Sequence, residues 1–420
     1  MANTFKFGNG NWAVKDGYAL AYNDENNNFK PLPFDFTRAS SATRVNKQGL
    51  VEAVPSGKPR IDFLDNTSGH LLLEPSRTNI MLKSEEIDSS YWLKTSATIT
   101  ANDTVSPNGE QTSEKFNDNG SGTGVVQVYQ NRVITTNQTH TFSIFAKKGT
   151  VDYISLRNEN FGTPNNSTSY FNISNGTLGT VDSDHTAKII DYGNGWYRCS
   201  ITLTFGSDNY GAFIVRLNEA DNTPNVVRNG AKNVYLWGGQ IELGNYTTSY
   251  IKTDTSSVTR SDDYAIDAGN SDVFSNTELS WFLDIEGFAE DGTDRYISIS
   301  DNGGSPYTNG YNVQYRSDGN LRIFRNGLDF ADAIAVVNID QAVRQKIAIR
   351  YKQNDMKVYI NGTSQTLNSS YVFQSMSSGI DSMRFTQQNS TTSNAFDGKI
   401  YEMRVWNEAL TDTELQNLTS

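Results

Sequence analysis

Three residue patterns in this chain have the makings of chemistry. The first combines aromatic rings with amides. Tyr307, Asn309, Tyr311 and Asn312 share one Gly-rich segment, Phe161, Asn165 and Asn166 a second, and Asn209 with Tyr210 a third. Sugar rings stack on aromatic faces while amides bond their hydroxyls, so these segments are candidates for glycan contact. The second pattern is paired carboxylates: Glu85-Glu86, Asp262-Asp263, and Asp291 with Asp294. Glycoside hydrolysis needs two carboxyls about 5–10 Å apart across a cleft. Neighbours on a strand point to opposite faces, so adjacency does not create that pair, and solvated loop charge accounts for them. The third is hard oxygen ligands on turns, in Asp291-Gly292-Thr293-Asp294 and Asp301-Asn302-Gly303-Gly304. Calcium is compatible with those residue types, but the spacing is not that of an EF-hand loop, and ordinary turn chemistry explains both. No cofactor is therefore expected.

Only three histidines occur, His70, His140 and His185, with a single cysteine, Cys199. That excludes an intrachain disulfide framework and is thin for a His-rich metal centre or a Cys/His nucleophile. A lyase could use Tyr with His or Asn, yet neither His140 nor His185 has an evident partner, so no catalytic residue is assigned and the chain is not read as an enzyme. Cys199 alternates onto an apolar face and is expected to pack as a small hydrophobe.

The elements that must position these residues are strands. The chain has 420 residues with 36% hydrophobic and 11% aromatic content, enough for packed cores and too much for wholesale disorder. Alternation is clear in Val125–Tyr129, Thr141–Lys147, Tyr153–Arg157, Trp196–Phe205, Phe213–Leu217 and Val234–Glu242. Many short strands between turn signals predict an antiparallel sandwich, with a jelly roll as the finer expectation. Trp196 alternates onto the polar face with Arg198, although burial in a second layer fits it better. In the last third, Asp318-Gly319 and Asn361-Gly362 are hairpin turns, and Lys399–Trp406 is the closing strand. Thr411 with Glu414 forms a capping box for a short terminal helix.

Residues 1–83 read differently, with short apolar runs broken by Asn, Asp, Gly and Ser. They are expected to be extended and ordered partly by partners. Residues 84–252 are dense in strands, and 253–277 read as a linker. The formal charge of −12 argues against a nucleic-acid surface. No apolar run approaches the ~20 residues of a membrane span, so no membrane insertion is expected. Met1-Ala2-Asn3-Thr4-Phe5-Lys6 lacks the basic-then-apolar layout of a signal peptide.

Longer blocks carry a resemblance. Phe36-Thr37-Arg38-Ala39-Ser40-Ser41-Ala42-Thr43-Arg44 leads to Pro59-Arg60-Ile61-Asp62-Phe63 and Leu71-Leu72-Leu73-Glu74-Pro75-Ser76-Arg77-Thr78-Asn79. Gly193-Asn194-Gly195-Trp196-Tyr197-Arg198 and Leu236-Trp237-Gly238-Gly239-Gln240-Ile241-Glu242 follow. This series, over about residues 34–264, resembles tailed-bacteriophage virion proteins of the fibre, head-fibre and tail type. In them the middle block is similar to a carbohydrate-binding jelly roll. Val358-Tyr359-Ile360-Asn361-Gly362 and Gly398-Lys399-Ile400-Tyr401-Glu402 resemble the concanavalin A-like/laminin G-like superfamily.

The resemblance implies an all-β chain in three parts: an N-terminal attachment and oligomerisation region (1–83), a jelly-roll sandwich (84–264) and a concanavalin-like sandwich (265–420). It implies a virion-surface protein assembled in the host cytoplasm, in which Phe5, Phe7 and Trp12 attach to a capsid or tail protein. A homotrimer is expected, since Trp12, Phe34 and Phe36 would bury in a symmetry mate. Tyr307, Asn309, Tyr311, Asn312 and Tyr210 would hold host or environmental glycans. A head fibre is preferred to a tail fibre because no long repetitive shaft is present. The alternative is the carbohydrate-binding part of a polysaccharide-degrading protein.

Overall fold

The computed structural model describes residues 4–23, 30–301, 310–326, 332–367, 379–387 and 390–420. About half of the described residues are in strands, and the one helix is Asp412–Thr419. It divides into two compact units, and the chain passes between them after Ser41, Ala53, Pro75 and Arg260.

One unit comprises residues 42–53 and 76–260. Two six-stranded antiparallel sheets enclose its core. The first runs Leu93–Thr95, Val126–Val133, Tyr210–Asn218, Tyr153–Glu159, Thr168–Asn172, Thr177–Leu178. The second runs Ala97–Thr104, Ser113–Asp118, Asn233–Leu243, Thr139–Lys148, Trp196–Thr204, Thr186–Asp191. Inward residues of both form the core: Val126, Val128, Phe213, Val215, Ile154 and Leu156 from the first sheet, Phe142, Ile144, Cys199 and Ile201 from the second. Cys199 is fully buried, and burial raises its thiol pKa well above the ordinary range.

The other unit comprises residues 1–41, 54–75 and 261–420. A 12-stranded sheet faces a five-stranded one. The closing strand Gly398–Trp406 is flanked by Glu278–Gly287 on one side and Phe5–Gly8 on the other. Beyond Phe5–Gly8 come Tyr18–Asn23, Lys30–Thr37 and Tyr264–Ile266. Gly319, with φ +81°, turns the hairpin between Gly310–Tyr315 and Asn320–Asn326, where a left-handed backbone favours glycine. Thr411 and Glu414 make the reciprocal capping bonds, Glu414 Oε2 accepting from Thr411 N at 2.8 Å.

Four expectations about the first third and the linker are corrected here. Residues 1–83 are not a region apart: most of their strands join the large sheet around a C-terminal strand, while 42–53 and 76–83 belong to the jelly-roll unit. Phe34 and Phe36 lie in that unit's own core rather than against a symmetry mate. Phe5 and Phe7 are also buried there, at 0% and 1% exposure, so they offer no free surface for attachment. Trp12 is half-buried, its ring edge-on to Phe7 and its indole donating to Ser68 O at 2.7 Å. Finally, 253–277 is no linker, because Val258–Arg260 pairs with Arg77–Asn79 and Tyr264–Ile266 with Lys30–Thr37.

Arg38, Arg60 and Glu74, one from each of the three N-terminal blocks that carried the virion resemblance, meet Asp263 in one buried network inside the second unit. Arg38 Nη1 donates to Asp263 Oδ1 at 2.9 Å, and Arg60 donates to Glu74 Oε2 at 2.7 Å and to Asp263 Oδ2. Burial alone would depress the Arg60 pKa, but the Asp263 and Glu74 carboxylates outweigh it and hold it above the ordinary value. Arg38 also donates to Pro55 O at 2.6 Å. The network therefore fastens the chain close to all four of its passages between units.

Candidate functional site

The outer faces of the two jelly-roll sheets have opposite fates. On the second sheet, Phe145, Trp196, Trp237, Val51 and Tyr250 form an apolar layer, with Trp196 at 2% exposure. Beside it, Glu242 accepts from Gln240 Nε2 at 2.8 Å, Thr248 N at 3.0 Å and Thr248 Oγ1 at 2.6 Å. Arg198 donates to Thr248 O at 2.6 Å and to Ser143 Oγ at 3.0 Å. Residues 244–251 thus act as the unit's own cover for this face.

The outer face of the first sheet has no such layer. The strand register sets its side chains in rows. Thr95, Gln127, Arg216, Ser155 and Tyr170 stand opposite one another across five strands. Leu93, Tyr129, Ile214, Arg157 and Thr168 form the next row. Asn131, Ala212 and Glu159 follow, then Val133 with Tyr210. Ile214, Ala212 and Tyr170 are buried within this face, and its partly exposed groups are Gln127, Tyr129, Arg157, Glu159 and Arg216, with Tyr210 exposed at the edge. Arg157 Nε donates to Glu159 Oε2 at 3.0 Å and its Nη2 to Asn166 Oδ1 at 2.7 Å. Arg216 Nε donates to Gln127 Oε1 at 2.9 Å. Burial and then the neighbouring Arg157 lower the Arg216 pKa, while burial raises that of Tyr170. Aromatic faces, a fixed amide and guanidinium forks on a rigid sheet are the groups that hold a polyhydroxylated ring.

Of the expected glycan residues, Tyr210 lies at the edge of this face and is 55% exposed. Tyr311 and Asn312 are at 0% exposure in the other unit, Tyr311 packed on Tyr351 with ring centroids 4.0 Å apart. A sugar cannot reach them, which corrects that expectation. Tyr307 and Asn309 lie outside the described residues, as do Asn302, Gly303 and Gly304. Phe161 is core, and Asn165 Oδ1 accepts from Asn160 N. Gln127, Tyr129, Arg157, Glu159 and Arg216 were not singled out from the sequence, although the period-2 alternation of Val126–Val133 and Tyr210–Asn218 carries the signal.

The candidate acid–base groups are held by structural partners. Glu85 pairs with Lys252 at 2.6 Å, Asp291 with Arg295 at 2.6 Å, and Asp294 accepts from Ser317 N at 2.8 Å. His140 packs on Phe205, and His185 bridges Ser169 Oγ and Asn158 Oδ1, each at 2.9 Å. Among the described residues no cluster of His, Cys, Asp and Glu is arranged to hold a metal, and no helix is long and apolar enough to cross a membrane.

Sheets of this order, in a nearly all-β chain of two sandwich-like units, define a lectin-like β-sandwich architecture. Residues 246–416 match the family model of the concanavalin A-like lectin/glucanases superfamily. No curated protein matches the chain. Among solved structures, the chain is similar to the CBM40 domain of Ruminococcus gnavus IT-sialidase bound to α2,3-sialyllactose, at 14% identity and TM-score 0.32, covering 37% of this chain and 94% of that one. It is similar to domains LG4-5 of the mouse laminin α1 chain, at 11% identity and TM-score 0.27, covering 69% and 88%. It is also similar to Trypanosoma rangeli sialidase in complex with sialic acid, at 11% identity and TM-score 0.30, covering 97% and 83%. Overlays this loose carry no argument about ligand or activity.

Proposed function

We propose that this chain is a non-enzymatic structural protein of a phage virion surface that binds glycans through the open sheet of its jelly roll. The observation that carries the glycan reading is the contrast between the sheets. One outer face is sealed by the chain itself, and the other keeps Gln127, Tyr129, Arg157 and Arg216 partly exposed beside an exposed Tyr210. The match of residues 246–416 to the concanavalin A-like superfamily supports a lectin-like assignment as well. The virion part rests on the long sequence blocks around Arg38, Arg60 and Glu74, whose side chains meet in the buried network described above. A head fibre is the preferred form, and a tail fibre or the carbohydrate-binding part of a polysaccharide-degrading protein is the alternative.

In this reading the chain assembles as a trimer and attaches to a capsid or tail protein. Weak sites on many copies add avidity through effective concentration. Immunogold labelling of intact particles with antibody to this chain tests the location. Capsid label supports the head fibre, tail label shifts the role to receptor binding, and particles without label refute the virion assignment. A glycan array probed with the intact chain tests binding, and loss of signal on Tyr129→Ala with an unchanged melt ties it to the open sheet. A monomer by light scattering at every concentration would remove the trimer.

A further inference from the structure

Building on the glycan reading of the open sheet, we propose that this face selects sugars bearing a carboxylate, held by the end-on fork of Arg216. The argument is a count of what is already engaged. Arg157 spends its donors within the protein, on Glu159 Oε2, Asn166 O, Asn166 Oδ1 and Thr168 Oγ1. Arg216 does not. Its Nε is fixed by Gln127 Oε1 at 2.9 Å, which sets the plane of the guanidinium. Its Nη2 lies 3.9 Å from Glu159 Oε2, too far for a hydrogen bond, and neither Nη atom donates to any protein acceptor. The side chain keeps 12% of its surface exposed, and neither Nη atom is among the fully buried unpartnered atoms of the chain.

The charge on the face is correspondingly unbalanced. Arg157 and Arg216 share one carboxylate, Glu159, and Arg157 is the residue bonded to it. Asp221, beyond Tyr170, is occupied by Thr180 N and Oγ1 at 2.7 and 3.0 Å. The adjacent groups also lack acceptors. Gln127 Nε2 donates to nothing in the protein, and Ser155 Oγ, directly across from Arg216, is buried without a partner. A neutral sugar hydroxyl supplies one acceptor atom. A carboxylate supplies two in the plane and spacing of the Nη1–Nη2 fork, with the charge the row lacks. A single fork beside the partly exposed Tyr129 fits one charged ring rather than a run of phosphates.

The test uses the intact chain and paired probes of one shape: oligogalacturonate, oligoglucuronate and N-acetylneuraminyl-lactose, each with its methyl ester, beside neutral oligosaccharides. Isothermal titration is expected to show at least one acid bound about tenfold or more tightly than its ester, the scale of one charge-assisted bidentate pair. Arg216→Gln should erase that preference, and Arg216→Lys should restore only part of it. A thermal melt confirms that each variant is folded, and Gln127→Leu, which frees the guanidinium plane, gives an independent loss. Equal affinity for acid and ester overturns the inference and leaves the glycan reading standing. Binding of neutral sugars alone does the same. Binding of no sugar at all overturns both. An acid preference that survives in Arg216→Gln overturns the role of the fork.

Discussion

The two outer faces of the jelly roll are built by strands of the same kind, yet one is interior and the other surface. Phe145, Trp196 and Trp237 on the second sheet are as buried as the core between the sheets. Gln127, Tyr129 and Arg216 on the first are partly exposed. The difference is the segment 244–251, which brings Thr248 and Tyr250 over one face; among the described residues of this unit no apolar layer of that kind forms on the other. A sheet face becomes structural or functional according to what the rest of the chain lays over it. Large side chains on a covered face therefore stabilise the fold, while the same types on an open face remain available to a ligand.

This contrast can be broken by substitution. Trp237→Ala, on the covered face, should cost ~3–5 kcal/mol of stability in chemical denaturation, from lost burial and a residual cavity. Affinity per folded molecule should stay the same. Glu242→Leu should cost about 1–3 kcal/mol, because it strands the donors of Gln240 and Thr248 that converge on its carboxylate. Tyr210→Ala, on the open face, should leave stability within about 0.5 kcal/mol, as for other surface changes, while weakening glycan binding in titration. A stability loss at Tyr210 as large as at Trp237 would erase the distinction.

The smallest expected effect is in pH, and it has opposite signs beneath the two sheets. Burial, then Asp88, pushes the Glu114 carboxyl up to about 7, above its ordinary 4.5. Its contribution is present below pH 4.5 and is lost as pH rises through 7, because the unfolded chain releases the proton first. Burial lowers the His185 pKa below its ordinary 6.5 despite Asp182 and Asp184. Its contribution is present above pH 6.5 and is lost as pH falls, because the unfolded chain takes up the proton first. Melts from pH 4 to 8 should therefore show Glu114→Gln gaining relative stability at the alkaline end and His185→Gln at the acid end. The same trend for both would refute the assignment.

Much of the fold was legible. The stretch Trp196–Phe205 was read as a strand, and the structure has Trp196–Thr204. Tyr153–Arg157 became Tyr153–Glu159, and Lys399–Trp406 became Gly398–Trp406. Period-2 alternation and Asp-Gly or Asn-Gly turns are local signals, and they sufficed. Residues 1–83 misled because their strands are short and polar-interrupted. Phe5–Gly8 and His70–Leu73 pair with Gly398–Trp406, hundreds of residues away, a partner no local signal reveals. Tyr311 and Asn312 looked like loop residues beside glycines, but they belong to Gly310–Tyr315, a strand buried on both faces.

By itself the sequence determined the class of structure: antiparallel strands, their inward faces, the hairpin turns and the terminal capping box. Each of these depends on residues near one another in the chain, where side-chain alternation and turn geometry act directly. Arg198 and Arg216 show what it could not determine. Both sit at alternating positions on the outer face of a jelly-roll strand, and nothing local separates them. Arg198 is buried because Thr248 and its neighbours return over it, while the fork of Arg216 stays open because no segment does. Which of two wet faces becomes dry is set by where distant chain segments cross, and only the tertiary structure decides that.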